Sequence, residues 1–326
     1  MNEVQRYLIE EFVEDYRQRT LSRRDLLRRA VLIMGGGAAA AAALRSAEST
    51  LAAASPGAIR AGVRTGAQAQ TGDPARGAHT APPLQQTDAP VVDPADPSVI
   101  TSVVSFAGEA GDVRGYLARP AGEGAFPGVV VIHENRGLIE PNLDIARRYA
   151  KEGYVALAPD LLSRVGGTDH FAADPAQATG AIGQLGPDAP ASDGNAAVAF
   201  LQQQPYVSGA IGATGFCYGG GVVWLMGVRN PALLAIVPHY GMNPPLEEVP
   251  NLRAAALGIY AENDTRITGA SDVLAAALMQ AGAIWEFWIA PGANHAFFNN
   301  TGMSYNPQDA REAWNRALIW FDQNLR

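Results

Sequence analysis

The pattern of apolar and polar positions divides the chain into three parts. Residues 1–29 are polar and rich in arginine and glutamate. An apolar run from Ala30 to Leu44 follows, and residues 47–97 then show no hydrophobic periodicity. From Ser98 the texture is that of a folded domain. Val99–Ala107 and Val113–Arg119 alternate as strands and predict a hairpin around Gly108–Asp112. Gly128–His133 and Tyr154–Ala158 are continuous apolar runs, as expected of strands buried on both faces. Ala210–Thr214, Leu233–Val237, Ala255–Ala261 and Ile284–Ile289 read as further strands. Helical spacing marks Asn142–Glu152, Ala189–Gln203, Val222–Val228, Gly269–Ala281 and Gln308–Asn324. Strands that alternate with helices predict βαβ units and a mostly parallel sheet covered on both faces. Residues 98–326 are therefore expected to form one α/β domain.

The parts before it read differently. Ser22-Arg23-Arg24-Asp25-Leu26-Leu27-Arg28 precedes the short apolar run, and Ala52-Ala53-Ala54 offers small residues for cleavage. Paired arginines just before a weakly apolar stretch predict a twin-arginine export signal over residues 1–54. The expected partner is the export machinery, and the expected location is periplasmic or extracellular. An uncleaved anchor is the alternative. Residues 55–97, dominated by Ala, Gly, Pro, Thr, Gln and Ser, read as a disordered linker with too few large apolar groups to offset ordering entropy.

Composition excludes several classes. The net charge is −8, and the excess lies after residue 97, since the first 97 residues carry equal numbers of acidic and basic side chains. An acidic domain with a single lysine, Lys151, is poorly suited to nucleic acid. No stretch reaches the roughly 18 uninterrupted apolar residues of a clear transmembrane helix, so no stable span is expected after processing. The one cysteine, Cys217, rules out an intramolecular disulfide and a cysteine-based zinc site.

That cysteine stands in Gly215-Phe216-Cys217-Tyr218-Gly219, a G-x-S-x-G pattern with cysteine in place of serine. It follows a predicted strand and precedes a predicted helix, the context of a nucleophile elbow. The glycines two before and two after let strand and helix approach. The N–H of Tyr218 is then available to an oxyanion, and the helix N-terminus favours a thiolate. A buried cysteine in a glycine-rich turn is the bland alternative. An α/β-hydrolase must then supply an acid and a histidine, in that order. Asp264 follows the strand Ala255–Ala261, with Glu262 as the competing acid. His295, in Pro291-Gly292-Ala293-Asn294-His295, follows the strand Ile284–Ile289 where the general base belongs. In His133-Glu134-Asn135-Arg136-Gly137, after the strand Gly128–Ile132, the Asn135 N–H is the second oxyanion donor, and the charged pair Glu134 and Arg136 is given a role at the site mouth. His170 is expected on the surface, and His239 and His79 are not assigned chemistry. No two histidines have ligand spacing on one element, so no metal is expected.

Together, VIHENRGL, EGYVALAPDLLSR, GATGFCYGGG, YAENDTR and GANHAF make Ser98–Arg326 resemble the dienelactone hydrolase family. The resemblance implies an α/β-hydrolase fold with a Cys217–His295–Asp264 triad and no cofactor. It implies that Glu134 helps activate the thiol and that Arg164 binds a substrate carboxylate. The position four after the histidine, an arginine in lactone-cleaving members, is Asn299 here, and the residue after the histidine is Ala296. Arg266 is the candidate substitute for the missing arginine. The expected reaction is hydrolysis of a small-molecule ester or lactone through a thioester. A broad carboxylesterase and a non-catalytic binding module are the alternatives; a redox role lacks a resolving cysteine. Segments 163–186 and 241–252 are the candidate pocket loops.

Overall fold

In a computed structural model, residues 1–53, 62–65 and 91–326 are described. His79, most of the expected linker and the end of the expected cleavage motif lie outside them. Three helices come first: α1 (Glu3–Arg17), α2 (Arg23–Met34) and α3 (Gly37–Ala53), followed by a short strand, β1 (Gly62–Thr65). The hairpin strands are β2 (Val99–Gly108) and β3 (Gly111–Pro120). Then come β4 (Phe126–Ile132), α4 (Glu140–Lys151), β5 (Val155–Pro159), α5 (Pro175–Leu185), α6 (Asp188–Gln202) and β6 (Val207–Phe216). The chain continues through α7 (Tyr218–Arg229), β7 (Ala235–His239), β8 (Ala255–Ala261), α8 (Thr265–Thr268), α9 (Ser271–Gln280), β9 (Trp285–Ala290) and α10 (Pro307–Leu325).

Among the described residues the strands form one sheet in the order β1-β9-β8-β7-β6-β4-β5-β3-β2. The pairs from β5 through β4 to β9 are parallel; β1, β2 and β3 join antiparallel. The architecture is the mostly parallel, helix-flanked sheet of an α/β-hydrolase. The central strands are buried along their length because helices cover both faces. Gly128 and Gly212 show why. They sit on adjacent strands, Val129 is paired with Gly212, and Gly128 therefore points the opposite way. A side chain at Gly212 would meet Phe321 of α10, and one at Gly128 would meet Leu201 of α6. The α10 face also holds α4, through ring contacts of Tyr149 with Trp314 and Phe321. The other face holds α6 and α7.

The N-terminal part departs from the sequence reading in its local structure. Residues 3–17 form an amphipathic helix started by an Asn2–Gln5 capping box. Val4, Leu8, Ile9, Phe12 and Val13 are buried. Their spacing of three to five residues makes one apolar stripe, and α1 packs with α2, α3 and α5 on the α/β domain. Gly180 and Gly183 on α5 permit the approach: a side chain at Gly180 would press on Leu32, and one at Gly183 on Leu8 and Ile33. Asn2 Nδ2 donates to the Gly183 carbonyl at 3.0 Å, and Arg28 pairs with Asp174. α5 lies in segment 163–186, read from sequence as a loop. β1, within the expected linker, pairs with the edge strand β9. No single helix among the described residues is long and apolar enough to cross a membrane; α2 and α3 together pass on length and composition but are bent by 111°.

Candidate active site

The parallel strands deliver their chemistry at one edge, where their C-terminal ends meet. Cys217 directly follows β6, and its φ of 56° and ψ of −122° lie outside the regions ordinary residues prefer. The turn is held by the Cys217 N–H to the His239 carbonyl at 3.1 Å and by the Gly220 N–H back to the Cys217 carbonyl. Its glycines are required sterically. A Cβ on Gly215 would stand 2.4 Å from the Gly219 carbonyl oxygen, and one on Gly219 would stand 2.5 Å from the His133 carbonyl oxygen. Tyr218 opens α7, so its N–H lies in the first turn, without an intrahelical acceptor.

β8 and β9 place the other two groups. Asp264 follows β8, caps α8 and is 1% exposed. The Nδ1 of His295 lies 2.6 Å from its Oδ2. Burial alone would raise the Asp264 carboxyl, but the charge and hydrogen bond of His295, helped by Arg266, hold it below its ordinary value. His295 is in turn driven well up by Asp264, against the effect of burial. Glu262, the competing acid, accepts from the Gly292 N–H and helps hold the histidine loop. A ring nitrogen of His295, the Cys217 Sγ and a carboxylate oxygen of Glu11 all lie within 4.8 Å of one another. Imidazole, thiol and carboxylate are donors that zinc accepts. Spacing along one element could not reveal this set, because it is assembled from three distant segments.

The thiol's hydrogen bonds go to the N-terminal helix. Glu11 Oε2 and Oε1 lie 3.4 and 3.6 Å from Sγ, and the Tyr7 hydroxyl lies 3.3 Å away. The His295 Nε2 makes no hydrogen bond of ordinary length. Burial, then the neighbouring Glu11, push the Cys217 thiol up to about 11, and the nearby His295 opposes them only in part. A carboxylate so close to sulfur opposes the thiolate, the form that reacts. Tyr7, Glu11 and Asp15 recur every fourth residue, which puts them on one face of α1.

The remaining expected residues fall into two groups. Glu134, Asn135 and Arg136 line a cavity of about 170 Å³ together with Cys217 and His295. Asn299 lines it too, and its Nδ2 donates to Glu134 at 2.9 Å. Burial raises the Glu134 carboxyl, while Arg136 and Asn299 pull it back. The carboxylate in contact with sulfur is Glu11, while Glu134 reaches the thiol only through its charge, which also pushes it up. Asn135 Nδ2 also donates to Glu11, at 2.9 Å.

Arg164, expected by resemblance to bind a substrate carboxylate, does not line this cavity. Its Nε and Nη2 both bind the buried Asp193 carboxylate on α6 at 2.8 Å. That bidentate pair occupies the guanidinium edge a substrate would need. Arg266 is also off the cavity wall: its guanidinium stacks 4.4 Å from the centroid of the Tyr7 ring, behind the site. The cations on the wall are Arg136 and, from α2, Arg29. His133 accepts from the Leu161 N–H, and His239 is buried against Phe216; both serve packing. His170 is exposed. Sequence reasoning missed Tyr7, Glu11, Asp15 and Arg29. The available signal was the four-residue periodicity of 4, 8 and 12, which marks a helix with a face to bury.

The sequence model of the Dienelactone hydrolase family matches residues 113–325. The chain belongs to this family. Among curated relatives of the same type, a "Putative carboxymethylenebutenolidase" of Salmonella typhi is 33% identical over 265 residues, covering 78% of this chain and 97% of its own. One of Methylorubrum extorquens is 35% identical over 238 residues, covering 69% and 81%. The crystal structure of a "Putative Dienelactone Hydrolase" from Klebsiella pneumoniae superposes with a TM-score of 0.64 at 30% identity, covering 69% of this chain and 99% of that one. In this dienelactone hydrolase family member, then, a relative's entire length is matched by about two thirds of the chain.

Proposed function

We propose that the protein is a carboxylic ester hydrolase that cleaves a small-molecule ester or lactone through Cys217, His295 and Asp264. The observation that carries this reading is the 2.6 Å His295–Asp264 bond beside the strained Cys217 turn. His295, oriented by Asp264, removes the thiol proton as sulfur attacks the carbonyl carbon. The backbone N–H groups of Tyr218 and Asn135 receive the oxyanion; such a donor is worth about 10²–10³ in rate. The C–O bond breaks, His295 returns the proton to the leaving alkoxide, and a thioester remains. Water, deprotonated by His295, attacks the thioester. Thiolate leaves and is reprotonated, releasing the acid. The organic steps use only side chains and backbone of this chain.

A broad-specificity carboxylesterase is the second reading, and the capture of Arg164 by Asp193 favours it. With Asn299 at the other expected arginine position, the family's carboxylate clamp is not assembled here. Purified full-length wild type, Cys217→Ala and Cys217→Ser are to be assayed on p-nitrophenyl acetate and on a dienelactone. Turnover by wild type and none by Cys217→Ala supports the nucleophile. Equal turnover by both overturns it. Preference between the two substrates separates esterase from lactonase.

A further inference from the structure

We propose that the N-terminal helical segment is an intramolecular inhibitor of Cys217, and that the reactive form is the one in which α1 has left the site. The inference rests on the hydrolase reading and adds its regulation. Three independent features carry it. First, α1 occupies the nucleophile: Tyr7 and Glu11 both contact Sγ, and Glu11 also takes the side chain of Asn135 on the oxyanion side. Second, what α1 offers is the wrong chemistry for turnover. A carboxylate against the thiol opposes the thiolate and any oxyanion forming beside it, and the hydroxyl of Tyr7 fills space a substrate carbonyl must reach. Third, the seat of α1 is separable from the hydrolase core. It meets α5 at Gly183, against Leu8 and Gln5, with Asn2 donating to the Gly183 carbonyl, while Gly180 seats Leu32 of α2. The relative from Klebsiella pneumoniae is matched over 99% of its length by 69% of this chain, so a hydrolase of this type is built without such a segment.

The twin-arginine motif supplies a route of release. Arg23 and Arg24 are exposed at the start of α2, outside the packing that seats α1. A leader read by an export system through these arginines and cut after residue 54 would take Tyr7 and Glu11 with it. The hydrolase would be latent where it is made and active where it is delivered.

The test uses the full chain and two variants that unseat α1 from opposite sides. Leu8→Asp places a charge on the buried face of α1. Gly183→Leu pushes from α5, where leucine is itself the better helix former. Because Cys217 is the sole cysteine, its carbamidomethylation by iodoacetamide is read cleanly by mass spectrometry. Circular dichroism melting confirms that each variant is folded, and p-nitrophenyl acetate turnover is measured in parallel. Both variants are expected to be alkylated at least tenfold faster than wild type and to turn over ester faster. Wild-type alkylation as fast as that of a folded variant overturns the proposal. So does faster alkylation with slower turnover, which would make α1 a lid that completes the substrate pocket. Faster alkylation with no ester turnover in any form leaves the inhibitor standing and removes the hydrolase reading.

Discussion

The Tyr7 hydroxyl and the Cys217 sulfur lie 3.3 Å apart across 210 positions of sequence. The contact joins the N-terminal helix to the residue proposed as the nucleophile.

The thiol should be slow at neutral pH. Thiolate is the reactive form, and burial with Glu11 holds Cys217 up to about 11. Alkylation of the full chain is therefore expected to rise about tenfold per pH unit from pH 7 until it levels near pH 11. Glu11→Gln removes the nearest negative charge and should shift the whole profile to lower pH. A wild-type profile that levels below pH 8 contradicts this placement of α1.

Asp264→Asn should leave the fold and lower ester turnover by about 10⁴-fold, because His295 loses the partner that fixes its tautomer and stabilises its cation. Glu262→Gln should have little effect on kcat, since Glu262 only braces the loop through the Gly292 N–H. Steady-state kinetics of the two variants distinguish the acids that sequence alone left in competition.

Arg164→Ala should cost stability and leave substrate preference alone. Removing one partner of a largely buried pair strands the other charge, here Asp193 at 1% exposure, at a cost of about 3 kcal/mol. The ratio of KM values for a carboxylate-bearing and a neutral ester should be unchanged, while the denaturation midpoint falls. A selective rise in KM for the carboxylate-bearing ester would restore the substrate role that resemblance assigned to Arg164.

The seating of α1 should respond to acid through Asp15. Burial and Glu11 raise its carboxyl from 3.8 to about 6, against His295, Arg29 and Arg266. A raised value means that the folded state holds the proton more tightly than the unfolded state. The stabilisation is fully present below pH 3.8 and is lost as pH rises through about 6. Wild-type thermal stability should therefore fall relative to Asp15→Asn between pH 4 and pH 6. Parallel curves would show that Asp15 contributes nothing to the docking.

Gly219→Ala should disrupt the elbow. Its new Cβ would stand 2.5 Å from the His133 carbonyl oxygen, a backbone atom that cannot swing aside. A loss of about 3 kcal/mol is expected, with denaturant titration as the measure. The same substitution at Gly183, where the nearest atoms stand at 3.4 Å, should be nearly neutral.

The sequence by itself determined the sheet and what stands at its edge. Strands such as GVVVIH and AALGIYA are legible because burial on both faces leaves no place for a polar residue. The glycines around Cys217 are legible because their spacing answers a local steric need, and Asp264 and His295 follow from the order in which the strands end. Helix α9, read over Gly269–Ala281, runs over Ser271–Gln280, and the short α8 before it, capped by Asp264, has no apolar period long enough to read. Only the tertiary structure decided which charged groups meet. Arg164 goes to Asp193 rather than to the cavity, and Glu11 rather than Glu134 meets the thiol, because long polar side chains follow the partners that folding brings near. The apolar stripe of α1 was written in the sequence, but the surface that buries it was not. That surface is made jointly by α2, α3 and α5, and the glycines of α5 acquire a meaning only when the N-terminal helices lie against them.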